Sequence, residues 1–182
     1  MKIFLDTGIF AAYLLLEVRE VIEKEFPDIK EKKDTLCITP LVIEEFAHTL
    51  LYSSGSNSGI FDQLVGAKNS RPEKIKYFFE NYGNVLRALL LYTEQLNVPR
   101  ETGSLLADKQ LLNTLTNDVR TMDLVHVLSA AFQNTEVFIT SDSKFFDWIK
   151  NNIELFQGTI PKDFLFVHVD LKTLKLDKYK VK

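Results

Sequence analysis

Cysteine is almost missing from this chain. Cys37 stands alone, so no internal disulfide can staple the fold, and the thiol usage suits a reducing compartment. Long apolar runs are missing too, and no uncharged stretch approaches the roughly 20 residues that cross a bilayer as a helix. No secretory leader is expected, because the apolar start has no basic region before it and meets Asp6 at once. An excess of positive charge is also lacking: the net charge is −3 and the pI about 5.7. That removes the basic field that announces nucleic acid, without excluding it, because a carboxylate-rich enzyme can look acidic while its substrate groove is locally basic. No internal repeat is visible. These absences point to a soluble cytoplasmic protein with no membrane partner.

The rest is ordinary globular composition. With 182 residues, 46% hydrophobic and 26% charged, the chain has material for one domain and a packed core. Residues 2–6 read as a strand and Gly8 to about Lys24 as the following helix. A charged connection with Pro27 leads to a second strand, Leu36 to Thr39. Pro40 suits a first helical turn, where its missing N–H is harmless. The next helix reaches about Tyr52, with Val42, Ile43, Phe46, Leu50 and Leu51 at helical spacing.

From 53 to 118 the pattern changes. Ser53 to Gly59 has linker composition. Ile75, Phe78, Phe79 and Tyr82 form one apolar stripe. Val85, Leu86, Leu89 and Leu90 form another after a break at Gly83-Asn84, and Pro99 closes that pair. Leu105, Leu106, Leu111, Leu112 and Leu115 suggest a further helix. A helix opening near Met122 is apolar nearly all round and should be buried. A strand over 137–142, a helix through Phe145, Phe146 and Trp148, and a strand from Phe164 to Val169 follow. The lysine-rich tail, Lys172 to Lys182, reads as frayed. The expectation is an α/β protein: a three-layer α/β/α sandwich around a mainly parallel sheet, with residues 53–118 as a helical insertion within a single domain over 1–182.

Two of the apolar runs end on aspartate, at Asp6 and Asp142. In open α/β sheets ligands sit beyond the carboxyl ends of the strands, so both carboxylates aim at one edge. Glu44 and Glu45 sit early in the second helix, and Asp123 opens the buried one. Taken singly, each has a plain structural explanation, as a helix cap, a turn residue or a complement to the helix dipole. Together they offer oxygen donors and no thiolate or imidazole cage, which selects hard cations, Mg²⁺ or Mn²⁺. At about 100° per residue both Glu44 and Glu45 flank the apolar stripe, and helical geometry leaves the choice open. His126, one turn after Asp123, reads first as a hydrogen-bonded interior histidine and second as a support for a ligand. Lys144 is either surface or a substrate-phosphate contact.

Four segments in this order resemble the PIN-domain ribonucleases, the fold of VapC-type toxins. MKIFLDTGIF is similar to their opening strand. ITPLVIEEFAHTL is similar to their second strand and helix, where a Ser or Thr precedes a catalytic Glu by six positions; counted from Thr39, that is Glu45, with Glu44 as the alternative. TMDLVHVLSAAF supplies Asp123. VFITSDSKFFDWI supplies Asp142, with Thr140 as an accessory hydroxyl. The resemblance covers residues 1–52 and roughly 118–150. It implies a Mg²⁺- or Mn²⁺-dependent endoribonuclease with Asp6, Glu45, Asp123 and Asp142 as metal-holding catalytic residues. It also implies an RNA substrate, a cognate antitoxin and a homodimer. Two other readings compete. One is a catalytically silent PIN-like module that binds RNA or protein. The other is a haloacid-dehalogenase-like phosphatase, which would need a second Asp where Gly8 stands.

Overall fold

A computed structural model describes residues 1–52, 59–66, 70–106, 119, 121–156 and 158–182, with backbone only at 104–106. Its centre is a six-stranded sheet in the order β3-β2-β1-β4-β5-β6. The strands are β1 Lys2–Leu5, β2 Thr35–Ile38, β3 Thr93–Gln95, β4 Val137–Thr140, β5 Leu165–Asp170 and β6 Lys175–Lys180. The first five are parallel to one another, and β6 runs antiparallel to β5. The helices are α1 Thr7–Ala12, α2 Leu16–Glu25, α3 Pro40–Tyr52, α4 Gly59–Val65, α5 Arg71–Tyr92, α6 Arg100–Leu106, α7 Thr121–Phe132 and α8 Ser143–Asn152.

The strands are short and apolar because both faces of the sheet are covered. On one face the stacked rings of Phe4 and Phe138 meet His126 of α7 and Phe145 of α8. On the other side α1, α3, α4 and α5 are joined through Phe10, Phe46, Phe61 and Phe78. The expected three-layer α/β/α sandwich is therefore what the chain builds. Helices α3, α7 and α8 take the expected places, and α7 is buried from Leu124 to Ala131.

Five details differ from the sequence reading. The first helix is two, α1 and α2, parted at Tyr13–Leu15. Every residue from Ile9 to Leu14 is buried, which one straight surface helix cannot achieve; the break turns Tyr13 and Leu14 into the core. Helix α5 runs unbroken through Gly83-Asn84, because one helical glycine costs only about 1 kcal/mol and packing on both sides outweighs it. It starts with Ser70 and Glu73 capping each other. It ends at Tyr92, ahead of Pro99. The 53–118 segment is not purely helical: β3 lies within it and extends the sheet beside β2. The tail is not frayed. It forms β6, with Leu174, Leu176, Tyr179 and Val181 packed on the core, and its lysines line the sheet edge, where charge discourages stray strand pairing. The linker residues 53–58 and the leucines at 111, 112 and 115 lie outside the described residues.

Candidate active site

The β1 and β4 strands lie side by side and diverge into opposite halves of the sheet, a topological switch point where α/β proteins place ligands. Their register puts Leu5 beside Ile139, and the Asp6 N–H donates to the Ile139 carbonyl at 3.0 Å. Asp6 and Thr140 therefore emerge level with each other at the carboxyl edge.

Asp6 is held at both oxygens. Oδ1 accepts the Thr7 N–H at 2.7 Å, and Oδ2 accepts the Thr140 hydroxyl at 2.8 Å. The same Thr140 oxygen accepts the Asp142 N–H at 3.0 Å, so one hydroxyl ties the two strand tips together. The Asp142 side chain caps α8, accepting the Phe145 N–H at 3.0 Å.

The Thr7 hydroxyl donates to Glu45 Oε2. His126 donates from Nε2 to that oxygen at 3.0 Å; a carboxylate only accepts, so Nε2 carries the proton. The other ring nitrogen, Nδ1, faces the Thr39 hydroxyl at 3.4 Å. Glu45 is the inward member of the glutamate pair, and Glu44 is exposed. Glu45→Gln is accordingly expected to remove at least about 100-fold of any catalytic rate, on the scale of losing one preorganised polar group. Glu44→Gln should stay within about threefold of wild type. Equal losses in a cleavage assay would reverse that assignment.

Asp123 sits in the first turn of α7, and its charge is felt by His126. Lys144 is exposed in the first turn of α8. The structure thus brings Asp6, Glu45, His126 and Thr140 into one hydrogen-bonded network. Asp142 joins it through its backbone N–H and Asp123 through its charge. Sequence reasoning missed Thr7, and it used Thr39 only to count to Glu45 without giving its hydroxyl a role. Each is a hydroxyl at a strand-to-helix turn, which reads as an ordinary cap; the only signal was the position of Thr7 directly after a strand-ending aspartate.

Charge in this network is under tension. Burial raises the Asp6 carboxyl above its ordinary value, and the Glu45 charge adds to that, against the opposing His126, Thr140 and Thr7. Burial works against a charged imidazole at His126. The hydrogen bond to Glu45 and the charges of Asp6, Glu45 and Asp123 outweigh it, so the ring titrates above its usual value. A group raised in this way contributes stability in full below about pH 6.5, the ordinary histidine value, and loses it as pH rises through the folded value. In EDTA, the stability gap between wild type and His126→Gln should therefore narrow as pH rises from about 6 to 9, as read by urea unfolding. A gap independent of pH would contradict this.

The donor set is carboxylate oxygen with neutral hydroxyls around it, which fits a hard divalent cation. The elevated Asp6 carboxyl fits as well, since a cation would offset the desolvation that raises it and, to a smaller extent, the Glu45 charge. The spacing is not that of a finished cage: among the described residues no three His, Cys, Asp or Glu side chains form a ready ligand cluster. Gly8 bears on the phosphatase alternative. A Cβ there would come within 2.3 Å of the Ser141 hydroxyl, so a second aspartate at this position meets an occupied space.

No curated protein matches the chain. A solved structure that it resembles is the crystal structure of VapBC2 from Rickettsia felis bound to a DNA fragment from their promoter. That match covers 81% of this chain and 92% of the other, at 15% identity and a TM-score of 0.46. The family model for the PIN domain matches residues 3–148, which spans β1 to α8 and every carboxylate of the site, and the chain belongs to the PIN domain family.

Proposed function

We propose that this protein is a divalent-metal-dependent endoribonuclease, the toxin of a toxin–antitoxin pair, with Asp6, Glu45, Asp123 and Asp142 as its metal-holding residues and Mg²⁺ or Mn²⁺ as the ion. The observation that carries the reading is the position of Asp6. It stands at the switch point of the sheet, joined through Thr7 to Glu45 and through Thr140 to the Asp142 backbone.

When bound, the cation polarises a phosphoryl oxygen and brings water within reach of deprotonation near neutral pH. The remaining work falls to the chain. Thr7 and Thr140 fix the Asp6 carboxylate. His126, braced by Thr39, fixes Glu45. In this reading Lys144, exposed in the first turn of α8, meets a substrate phosphate as a point charge. The partners that belong to this reading are RNA, an antitoxin that blocks the edge, and a second copy of the chain.

A second reading is a catalytically silent PIN-like binding module. Incubation with a mixed RNA pool separates them. The nuclease reading predicts cleavage with Mg²⁺ or Mn²⁺ that stops in EDTA and returns when metal is restored. RNA binding without cleavage at any metal concentration would establish the silent module instead.

A further inference from the structure

A cavity of about 520 Å³ opens at the amino edge of the sheet, lined by the start of β2, helix α2 and the last turns of α5. It lies where β2 begins, whereas the carboxylates of the candidate active site lie where β1 and β4 end. Its volume is in the range of small-molecule sites. Leu36, Val85 and Leu89 give it an apolar wall, and Tyr13 and Tyr92 add aromatic surface.

Two carboxylates line this cavity, and they differ. Glu23 is satisfied: it accepts the Tyr13 hydroxyl at 2.9 Å and pairs with Lys30 at 3.4 Å. Asp34 is satisfied at one oxygen alone. Oδ1 accepts the Met1 amine at 2.7 Å. Oδ2 is buried and has no hydrogen-bond partner among the described residues, in a residue that is 9% exposed. A buried acceptor left unpaired is costly, and nearly all such atoms find a donor. The cavity that Asp34 lines is room for a ligand to bring one.

The outer part of the cavity has the opposite character. Half-buried Arg19 and exposed Lys32 line it, and Lys32 Nζ stands 4.1 Å over the Tyr92 ring. Lys32 has a φ of 57°, a left-handed conformation that favours glycine at the end of a helical turn. Lysine at this position gives up backbone ease and keeps an ammonium beside the cavity. The Met1 amine and Lys30 answer the two lining carboxylates, which leaves Arg19 and Lys32 to attract an anion.

We propose that this cavity binds a nucleoside monophosphate. The exocyclic amine of the base donates to Asp34 Oδ2, the base lies against the apolar wall and the tyrosines, and the phosphate meets Arg19 and Lys32. One Asp34 oxygen is open, so one amine is what the site takes. Adenine, cytosine and guanine each carry an exocyclic amine; uracil presents carbonyl oxygens instead, which a carboxylate repels. The site is independent of whether the carboxylates at the other edge cleave RNA.

Isothermal titration calorimetry of the full chain tests it, in EDTA so that no metal at the carboxyl edge captures phosphate. Adenosine and cytidine monophosphates should bind with a Kd near or below about 100 µM. Uridine monophosphate should bind at least about tenfold more weakly. Lys32→Gln should weaken adenosine monophosphate about tenfold and leave adenosine unchanged. Ala88 lines the cavity and is exposed, so Ala88→Trp fills the space from outside the core. It should abolish binding with an unchanged far-ultraviolet circular dichroism spectrum. A Kd above about 1 mM for every nucleotide would overturn the proposal. So would equal affinity for uridine monophosphate, full binding by Ala88→Trp, or inorganic phosphate binding as tightly as adenosine monophosphate.

Discussion

Asp6→Asn is expected to slow RNA cleavage by at least about 100-fold while leaving the protein as stable as wild type or more so. The two effects have one cause. Asp6 is a half-buried carboxylate raised above its ordinary range chiefly by desolvation, with a smaller contribution from the nearby Glu45 charge. Asparagine keeps the shape and can still accept the Thr7 N–H with its amide oxygen, but it brings no charge. The folded state no longer carries a desolvated charge, and the site loses an anion that would hold a cation. The gain in stability should be about 1 kcal/mol, or roughly 2–4 °C in the melting midpoint of a chain this size. Calorimetry in EDTA, beside a cleavage assay, measures both. A variant that melts well below wild type yet still cleaves would show that Asp6 is a structural cap and nothing more.

Phe138→Ala is expected to cost about 3–5 kcal/mol, the usual range for emptying a fully buried phenylalanine site. Phe138 is 0% exposed and meets Phe4, Phe145 and Phe166, so its ring joins β1, β4, β5 and α8. The surrounding rings are large and cannot collapse into the space left behind, which places the cost at the upper end. Because Phe138 lies two residues before Thr140 on β4, loosening it should also weaken the alignment of Asp6 with Asp142. Phe138→Leu keeps most of the volume and should cost less than half as much. Urea unfolding of both variants checks the ranking; equal small losses would mean that the aromatic stack does not hold these layers together.

What could be read in advance follows the range of the interactions. Asp6 and Asp142 were legible because a strand tip is a local feature: an apolar run stops and a carboxylate follows. The choice of Glu45 over Glu44 was not legible from helical geometry. It depends on Thr7, 38 residues away, and on His126, 81 residues away, and both reach it only once α1, α3 and α7 meet over the sheet edge. Strand β3 escaped notice because it has three residues and draws its stability from pairing with β2 rather than from its own pattern. Strand β6 was hidden by its lysines, which suit an edge strand and also suit a disordered tail. The break expected at Gly83 was a propensity argument, and packing overrode it.

The central claim is that Asp6, Glu45, Asp123 and Asp142 hold one divalent cation site. Anomalous diffraction from crystals soaked in manganese chloride tests it most directly. The account predicts Mn²⁺ density at the carboxyl edge between β1 and β4, roughly 2.0–2.6 Å from oxygens of Asp6 and of at least two of Glu45, Asp123 and Asp142. Manganese bound elsewhere, with Asp6 still engaged only by Thr7 and Thr140, would contradict it.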